Sequence, residues 1–129
     1  MRHSGIWGML AILLQTVALV SCIRHRYDLP PASKTLIYPQ VDIQGLRGRV
    51  VRDGTQEPLA GVIVEVLLPS SDKRIRVART GANGQFRFTV PPGSYVLQFS
   101  LLGFDRVRQP VQTDKSRGER FEVGLPLGT

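Results

Sequence analysis

Cys22 is the only cysteine of this 129-residue chain, and it directly follows an apolar run near the N-terminus. A single thiol cannot close an intramolecular disulfide, so its position needs another explanation. The apolar run covers residues 6–20 and is preceded by one basic residue, Arg2. It is shorter than the stretch of about 20 apolar residues that spans a bilayer, and it has the proportions of a secretory signal peptide. We therefore expect an exported protein.

The boundary after this run reads Leu19-Val20-Ser21-Cys22. It resembles the lipobox of bacterial lipoproteins, in which cleavage leaves the cysteine as the new N-terminus. The resemblance implies cleavage between Ser21 and Cys22, and a lipid carrying chains such as palmitate on Cys22. Two or more acyl chains hold a protein firmly on a membrane, whereas one chain anchors it only marginally. Two alternatives stay open: an uncleaved signal anchor, or a secreted protein with an accidental match.

Residues 23–39 show no hydrophobic period and contain Pro30-Pro31 and Pro39 among scattered charges. This composition is typical of a tether, which could reach about 50 Å when fully extended. The predicted organisation is a signal peptide over 1–21, a lipidated cysteine with its tether over 22–43, and one folded domain over 44–129.

The residue after the cysteine is Ile23. It is not the aspartate that the lipoprotein resemblance associates with inner-membrane retention. We therefore expect a lipid-anchored protein of the bacterial cell envelope, on the outer membrane if two membranes are present.

In the predicted domain, apolar and polar residues alternate in short runs separated by turn signals such as Asp53-Gly54 and Asn83-Gly84. The predicted strands are 46–51, 62–67, 74–78, 85–90, 95–100, 106–113 and 120–125. No helical period lies between them, so the pattern predicts an antiparallel seven-stranded β-sandwich. Pro110 is typical of an edge strand.

The alternation also predicts which residues face the core. The predicted core consists of Val62, Val64, Val66, Phe86, Phe88, Tyr95, Leu97, Phe99, Phe121 and Val123. The Asn83-Gly84 turn predicts a hairpin that folds residues 75–80 onto 85–90 and sets Val77 opposite Phe88.

In the same register Arg74, Arg76 and Arg87 form a basic patch on the solvent face. Three guanidinium groups concentrate positive potential, so we interpret the patch as a candidate contact for an anionic partner or lipid headgroups. The alternative is that they only solvate the sheet.

Four ordered blocks between residues 44 and 113 resemble the carboxypeptidase regulatory-like domain. The blocks are Gly48-Arg49-Val50-Val51-Arg52-Asp53, Pro58-Leu59-Ala60-Gly61-Val62-Ile63-Val64-Glu65-Val66, Thr80-Gly81-Ala82-Asn83-Gly84-Gln85-Phe86-Arg87-Phe88 and Pro92-Gly93-Ser94-Tyr95-Val96-Leu97. The resemblance implies a transthyretin-like (prealbumin-like), Greek-key sandwich with no catalytic residues of its own. Gly81 stands where that family has an aspartate, which leaves the geometry of this loop open.

Residues suited to catalysis are scarce. The only histidines, His3 and His25, lie outside the predicted domain, so neither a His-based triad nor a His-rich metal site can form. No phosphate loop or nucleotide fingerprint is present. The stretch Asp53-Gly54-Thr55-Gln56-Glu57 offers oxygen atoms to Ca²⁺ but lacks the EF-hand spacing. We expect no enzyme, no metal and no cofactor.

The formal net charge of +7 favours anionic partners. Basic residues are interspersed with acidic ones, however, so we do not expect nucleic acid as a partner. The leading hypothesis is a monomeric, non-catalytic cell-envelope lipoprotein whose sandwich contacts an unknown envelope protein. The alternatives are a carbohydrate-binding surface module that takes a glycan, or a scaffold lipoprotein of an envelope or secretion complex.

Overall fold

The described part of the chain consists of strands and turns without a helix. The computed structural model describes residues 28–32, 34–114 and 119–128. The strands are β1 (Thr35–Ile37), β2 (Val41–Arg52), β3 (Ile63–Leu67), β4 (Arg74–Arg79), β5 (Gln85–Phe88), β6 (Gly93–Ser100), β7 (Arg106–Asp114) and β8 (Glu119–Leu125). The predicted all-β class is confirmed. The predicted signal peptide, Ser21 and Cys22 lie outside the described residues.

The strands form one sheet that folds over on itself. Its order is β4-β3-β6-β7-β2-β5, with β1 also beside β7 and β8 also beside β2. The terminal strands β4 and β5 come into contact, so the sheet encloses a core between two layers. Strand β2 belongs to both layers because it bends at Gly45, whose φ is +66°. Before the bend β2 pairs with β7 and, at Ile43, with the start of β8; after the bend it pairs with β5 and with the rest of β8.

The prediction of seven antiparallel strands is wrong in two respects. The described residues form eight strands, and the pairs β1–β7, β2–β7 and β2–β8 are parallel. The additional strand β1 lies within residues 22–43, the range predicted as a tether. Its three residues are too few to show a period, although Leu36 packs against the core.

The predicted hairpin between residues 75–80 and 85–90 is absent. Strand β4 pairs with β3, which sets Val77 opposite Glu65, and β5 pairs with β2, which sets Phe88 opposite Leu46. Residues 80–84 therefore cross between the layers. The crossover needs glycine at position 84, because φ is +74° there and a Cβ would collide with the carbonyl of Val50. A positive φ thus serves this crossover as it would have served a hairpin turn.

Thr80 holds the start of this crossover. Its hydroxyl donates a hydrogen bond of 2.6 Å to the carbonyl of Leu59 and accepts one of 2.9 Å from the amide of Val62. Gly81, in place of the family's aspartate, donates its amide to the carbonyl of Gln85 and accepts from the amide of Gly84. Backbone hydrogen bonds therefore close the loop that the sequence left open.

The core agrees with the predicted face at most positions. Val62, Val64, Val66, Phe86, Tyr95, Leu97, Phe99 and Val123 are buried, whereas Phe88 and Phe121 are half-buried. Phe86 is the centre of the aromatic cluster, with ring centroids 5.5 Å from Phe99, 6.2 Å from Phe88 and 6.3 Å from Phe121. Phe88 and Phe121 thus pack against the core from its edge, and Phe88 does so at the end of terminal strand β5.

Candidate anion-binding groove

Arg74, the first residue of the predicted basic patch, is paired with a buried carboxylate. Its Nη1 lies 3.5 Å from Oε2 of Glu65, and Glu65 is only 5% exposed. The other carboxylate oxygen accepts a 2.8 Å hydrogen bond from Nε2 of Gln98. Arg74 therefore neutralises a charge of its own protein.

The other two residues of that patch lie on different strand pairs. Arg76 lies on β4 and donates from Nη1 to the carbonyl of Ile75 at 2.8 Å. Arg87 lies on β5, which pairs with β2 and not with β4. The register that placed Arg87 beside Arg74 and Arg76 does not occur.

Arg87 instead lies directly opposite Arg47 on β2. Both arginines are exposed, and neither guanidinium has an ion-pair partner among the described side chains, which are those of residues 28–32, 34–114 and 121–128. Directly opposed residues of an antiparallel pair have Cβ atoms about 4.5–5.5 Å apart, and like charges there are destabilising. The described fold leaves this repulsion uncompensated.

A groove opens beside the two arginines, where β2 bends and β5 ends. It has a volume of about 310 Å³ and is lined by residues 44–47 and 87–90. Phe88 and Val90, which are both half-buried, supply its apolar surface, while Arg47 and Arg87 supply the charge. Guanidinium groups bind carboxylates and phosphates through two parallel hydrogen bonds. The groove is therefore suited to an anionic group that carries an apolar portion.

The sequence predicted Arg87 as a contact for an anionic group but did not predict Arg47. The alternation of Leu46, Arg47 and Gly48 correctly places Arg47 on the solvent face, as expected for a strand with period two. Its cross-strand partner, however, is Arg87, which lies 40 residues further along the chain. No local signal fixes a pairing of that separation.

A second polar cluster lies where residues 34–38 meet the end of β8. The hydroxyl of Tyr38 donates a 2.9 Å hydrogen bond to the carbonyl of Gly124. Burial raises the pKa of the Tyr38 phenol, and the carboxylates of Asp53 and Asp105 raise it further. Asp105 is 1% exposed and faces Lys34. These contacts hold the segment before β2 against the sheet.

The described residues hold no group of three or more His, Cys, Asp or Glu side chains arranged for a metal ion. The turn considered for Ca²⁺ is closed by its own backbone: the amide of Arg52 donates to the carbonyl of Glu57, and that of Gln56 to the carbonyl of Arg52. In the same ranges there is no helix with the length and apolarity of a membrane span.

Comparison with known proteins agrees with the family that the sequence blocks resemble. The profile of the carboxypeptidase regulatory-like domain matches residues 45–126. The chain belongs to this family. The match includes both arginines of the groove. Strand β1 and residues 28–34 precede the matched range.

None of the curated proteins compared with the chain matches it. Among solved structures, the carboxypeptidase regulatory-like chain is similar to 3-chlorocatechol 1,2-dioxygenase from Rhodococcus opacus 1CP. The TM-score is 0.40 at 15% sequence identity, and the alignment covers 79% of this chain and 68% of the dioxygenase chain.

Proposed function

We propose that the protein is a non-catalytic lipoprotein of the bacterial cell envelope, attached to its membrane through Cys22, whose domain binds an acidic segment of another envelope protein. The Leu19-Val20-Ser21-Cys22 boundary supports the attachment. The outer membrane is the expected location in a cell with two membranes, because Ile23 follows the cysteine.

The observation that carries the binding role is the opposition of Arg47 and Arg87 beside the groove. Two facing cations without a described counter-charge attract an anion, and the apolar surface of Phe88 favours an extended peptide over a bare ion. A carboxylate held between the two guanidinium groups removes their mutual repulsion.

The structure favours a protein partner over a glycan. Surfaces that stack sugar rings use exposed aromatic faces, yet the described aromatic side chains are all buried or half-buried. A scaffold role in an envelope or secretion complex is a special case of protein binding through the same groove.

Lipid attachment is tested by growing cells with labelled palmitate and comparing the natural chain with a Cys22→Ser variant. We expect the natural chain to incorporate the label and to sediment with membranes, and the variant to do neither. A variant that still incorporates label and sediments with membranes would contradict attachment through Cys22.

The groove is tested by measuring binding of a hexaglutamate peptide. Arg47→Glu with Arg87→Glu should abolish binding. Lys73→Glu with Arg76→Glu is the matched control, because it makes the same charge change at exposed positions around the start of β4 and should leave most of the affinity. Equal losses in both double variants would show that only net charge matters and would contradict a site in the groove.

A further inference from the structure

The segment that precedes the domain is held against β7. The amide of Arg106 donates a 3.0 Å hydrogen bond to the carbonyl of Lys34, and its Nη2 donates one of 2.9 Å to the carbonyl of Pro30. Further along, the amide of Tyr38 donates to the carbonyl of Arg108 at 2.9 Å. The segment is thus held against β7 at Pro30, Lys34 and Tyr38.

This docking shortens the reach of the predicted tether. The part between Cys22 and Pro30, whose carbonyl is bound by Arg106, spans at most about 28 Å, compared with the reach of about 50 Å expected when all of residues 23–39 were assigned to the tether. An anchor at Cys22 therefore keeps the domain near the membrane and brings the end around Lys34 closest to it.

That end of the domain carries exposed apolar side chains. Leu102 is 70% exposed and Leu127 is 50% exposed. Their segments are joined, because the amide of Gly128 donates to the carbonyl of Gly103 at 2.9 Å and Phe104 forms a bridge with Leu127. We call residues 101–104 and 126–128 together the apolar end.

The apolar end adjoins the docked segment. The amide of Asp105 donates to the carbonyl of Pro126, and Lys34 contacts both Asp105 and Arg106. Ile37 is the one other exposed large hydrophobic residue in the described ranges. It lies at the end of β1, three residues after Lys34. Exposed apolar side chains that gather in one region mark an interaction surface.

The groove lies away from the apolar end. Thr35 pairs with Arg106 at the start of β7, and the groove residue Gln44 pairs with Asp114 at its end. This stretch of β7 is about 26 Å long at 3.3 Å per residue. A protein attached through Cys22 would thus present the groove away from the lipid.

We propose that the apolar end rests on the lipid bilayer, with Leu102 and Leu127 inserted at the interface. The proposal rests on the proposed attachment of the chain at Cys22. Leucine side chains partition favourably into the headgroup and acyl boundary. In the sequence Arg24 and Arg26 closely follow Cys22, where they would add to the attraction of the anchor for an anionic leaflet.

The test uses single cysteines in the full lipidated chain, because the natural thiol is then occupied. Leu102→Cys, Leu127→Cys and the control Ser70→Cys are each labelled with an environment-sensitive fluorophore. All three positions are exposed, so the core is left intact. Ser70 follows the end of β3, whose start pairs with Ser100 next to the apolar end.

The labelled proteins are placed on vesicles of phosphatidylethanolamine and phosphatidylglycerol that contain a lipid-borne quencher. We expect a blue shift and loss of emission at positions 102 and 127 and neither at position 70. Equal emission at the three positions in a palmitate-labelled sample would overturn the proposal and leave the attachment intact. Absence of palmitate from the chain would overturn the attachment itself, and this orientation with it.

Discussion

Lys34 places its ammonium nitrogen 3.8 Å from Oδ2 of Asp105, whose side chain is 2% exposed. The other carboxylate oxygen, Oδ1, has no hydrogen-bond partner among the residues that the structure describes. A buried carboxylate that loses its cation becomes strongly destabilising. The docking of the segment before β1 and the neutralisation of Asp105 are therefore coupled through Lys34.

Replacing Lys34 with Met should lower the free energy of unfolding by about 1–3 kcal/mol, because an acceptor would stay buried without its counter-charge. Chemical denaturation measures this loss, with Lys73→Met as a control at an exposed lysine. In an Asp105→Asn background the Lys34 substitution should cost much less. Equal costs in both backgrounds would show that Lys34 acts independently of Asp105.

The sequence predicted the strands well because each strand is a local pattern. The alternation around Val62 and Tyr95 and the turn at Asn83-Gly84 depend only on neighbours in the chain. Strand pairing depends on contacts between distant residues, and the positive φ of Gly84 suits a crossover as well as a hairpin. The partners of β4 and β5 were for this reason predicted wrongly.

The position of Pro110 illustrates the same difficulty. Proline lacks an amide proton and is therefore expected on an edge strand. In the structure β7 is an interior strand, but Pro110 lies opposite the interruption between Ile37 and Val41, where no ladder is formed. A break in a neighbouring strand thus accommodates the proline, and no local pattern predicts such a break.

Gly84→Ala should destabilise the domain by more than about 1 kcal/mol, because it combines a positive φ with a steric collision. Gly81→Ala is the matched control in the same loop, since its φ is ordinary and no atom lies within 4 Å of the added Cβ. Thermal unfolding of both variants checks the difference. Similar melting temperatures for the two would contradict the described crossover.

Phe99→Ala should cost about 3–5 kcal/mol, the usual range for a phenylalanine in a closed core. Phe88→Ala should cost clearly less, because Phe88 is half-buried whereas Phe99 is 0% exposed. Urea denaturation of both variants measures the two losses. A larger loss for Phe88 would place it inside the core, as the alternation alone had predicted.

The Tyr38 phenol should ionise above its usual pKa of about 10. Since the folded-state pKa is raised, the stabilisation by Tyr38 is fully present below about pH 10 and is lost as the pH rises through the folded value. Phenolate absorbance follows the titration, and Tyr38→Phe should remove one step. Asp53→Asn should lower the pKa only in part, because burial is the larger cause. An unchanged titration in Tyr38→Phe would show that another tyrosine is responsible.

Arg87→Glu should stabilise the domain while it weakens hexaglutamate binding. The change turns the opposed pair with Arg47 from repulsive to attractive, and cross-strand charge pairs contribute about 0.2–1 kcal/mol. Arg49→Glu is the control on the same face of β2, because Arg49 lies 3.9 Å from Glu122 and its reversal should destabilise. A gain in stability together with a loss of binding would show that the repulsion between Arg47 and Arg87 destabilises the fold but serves to bind the anion. Loss of stability in both variants would show instead that Arg87 supports the fold.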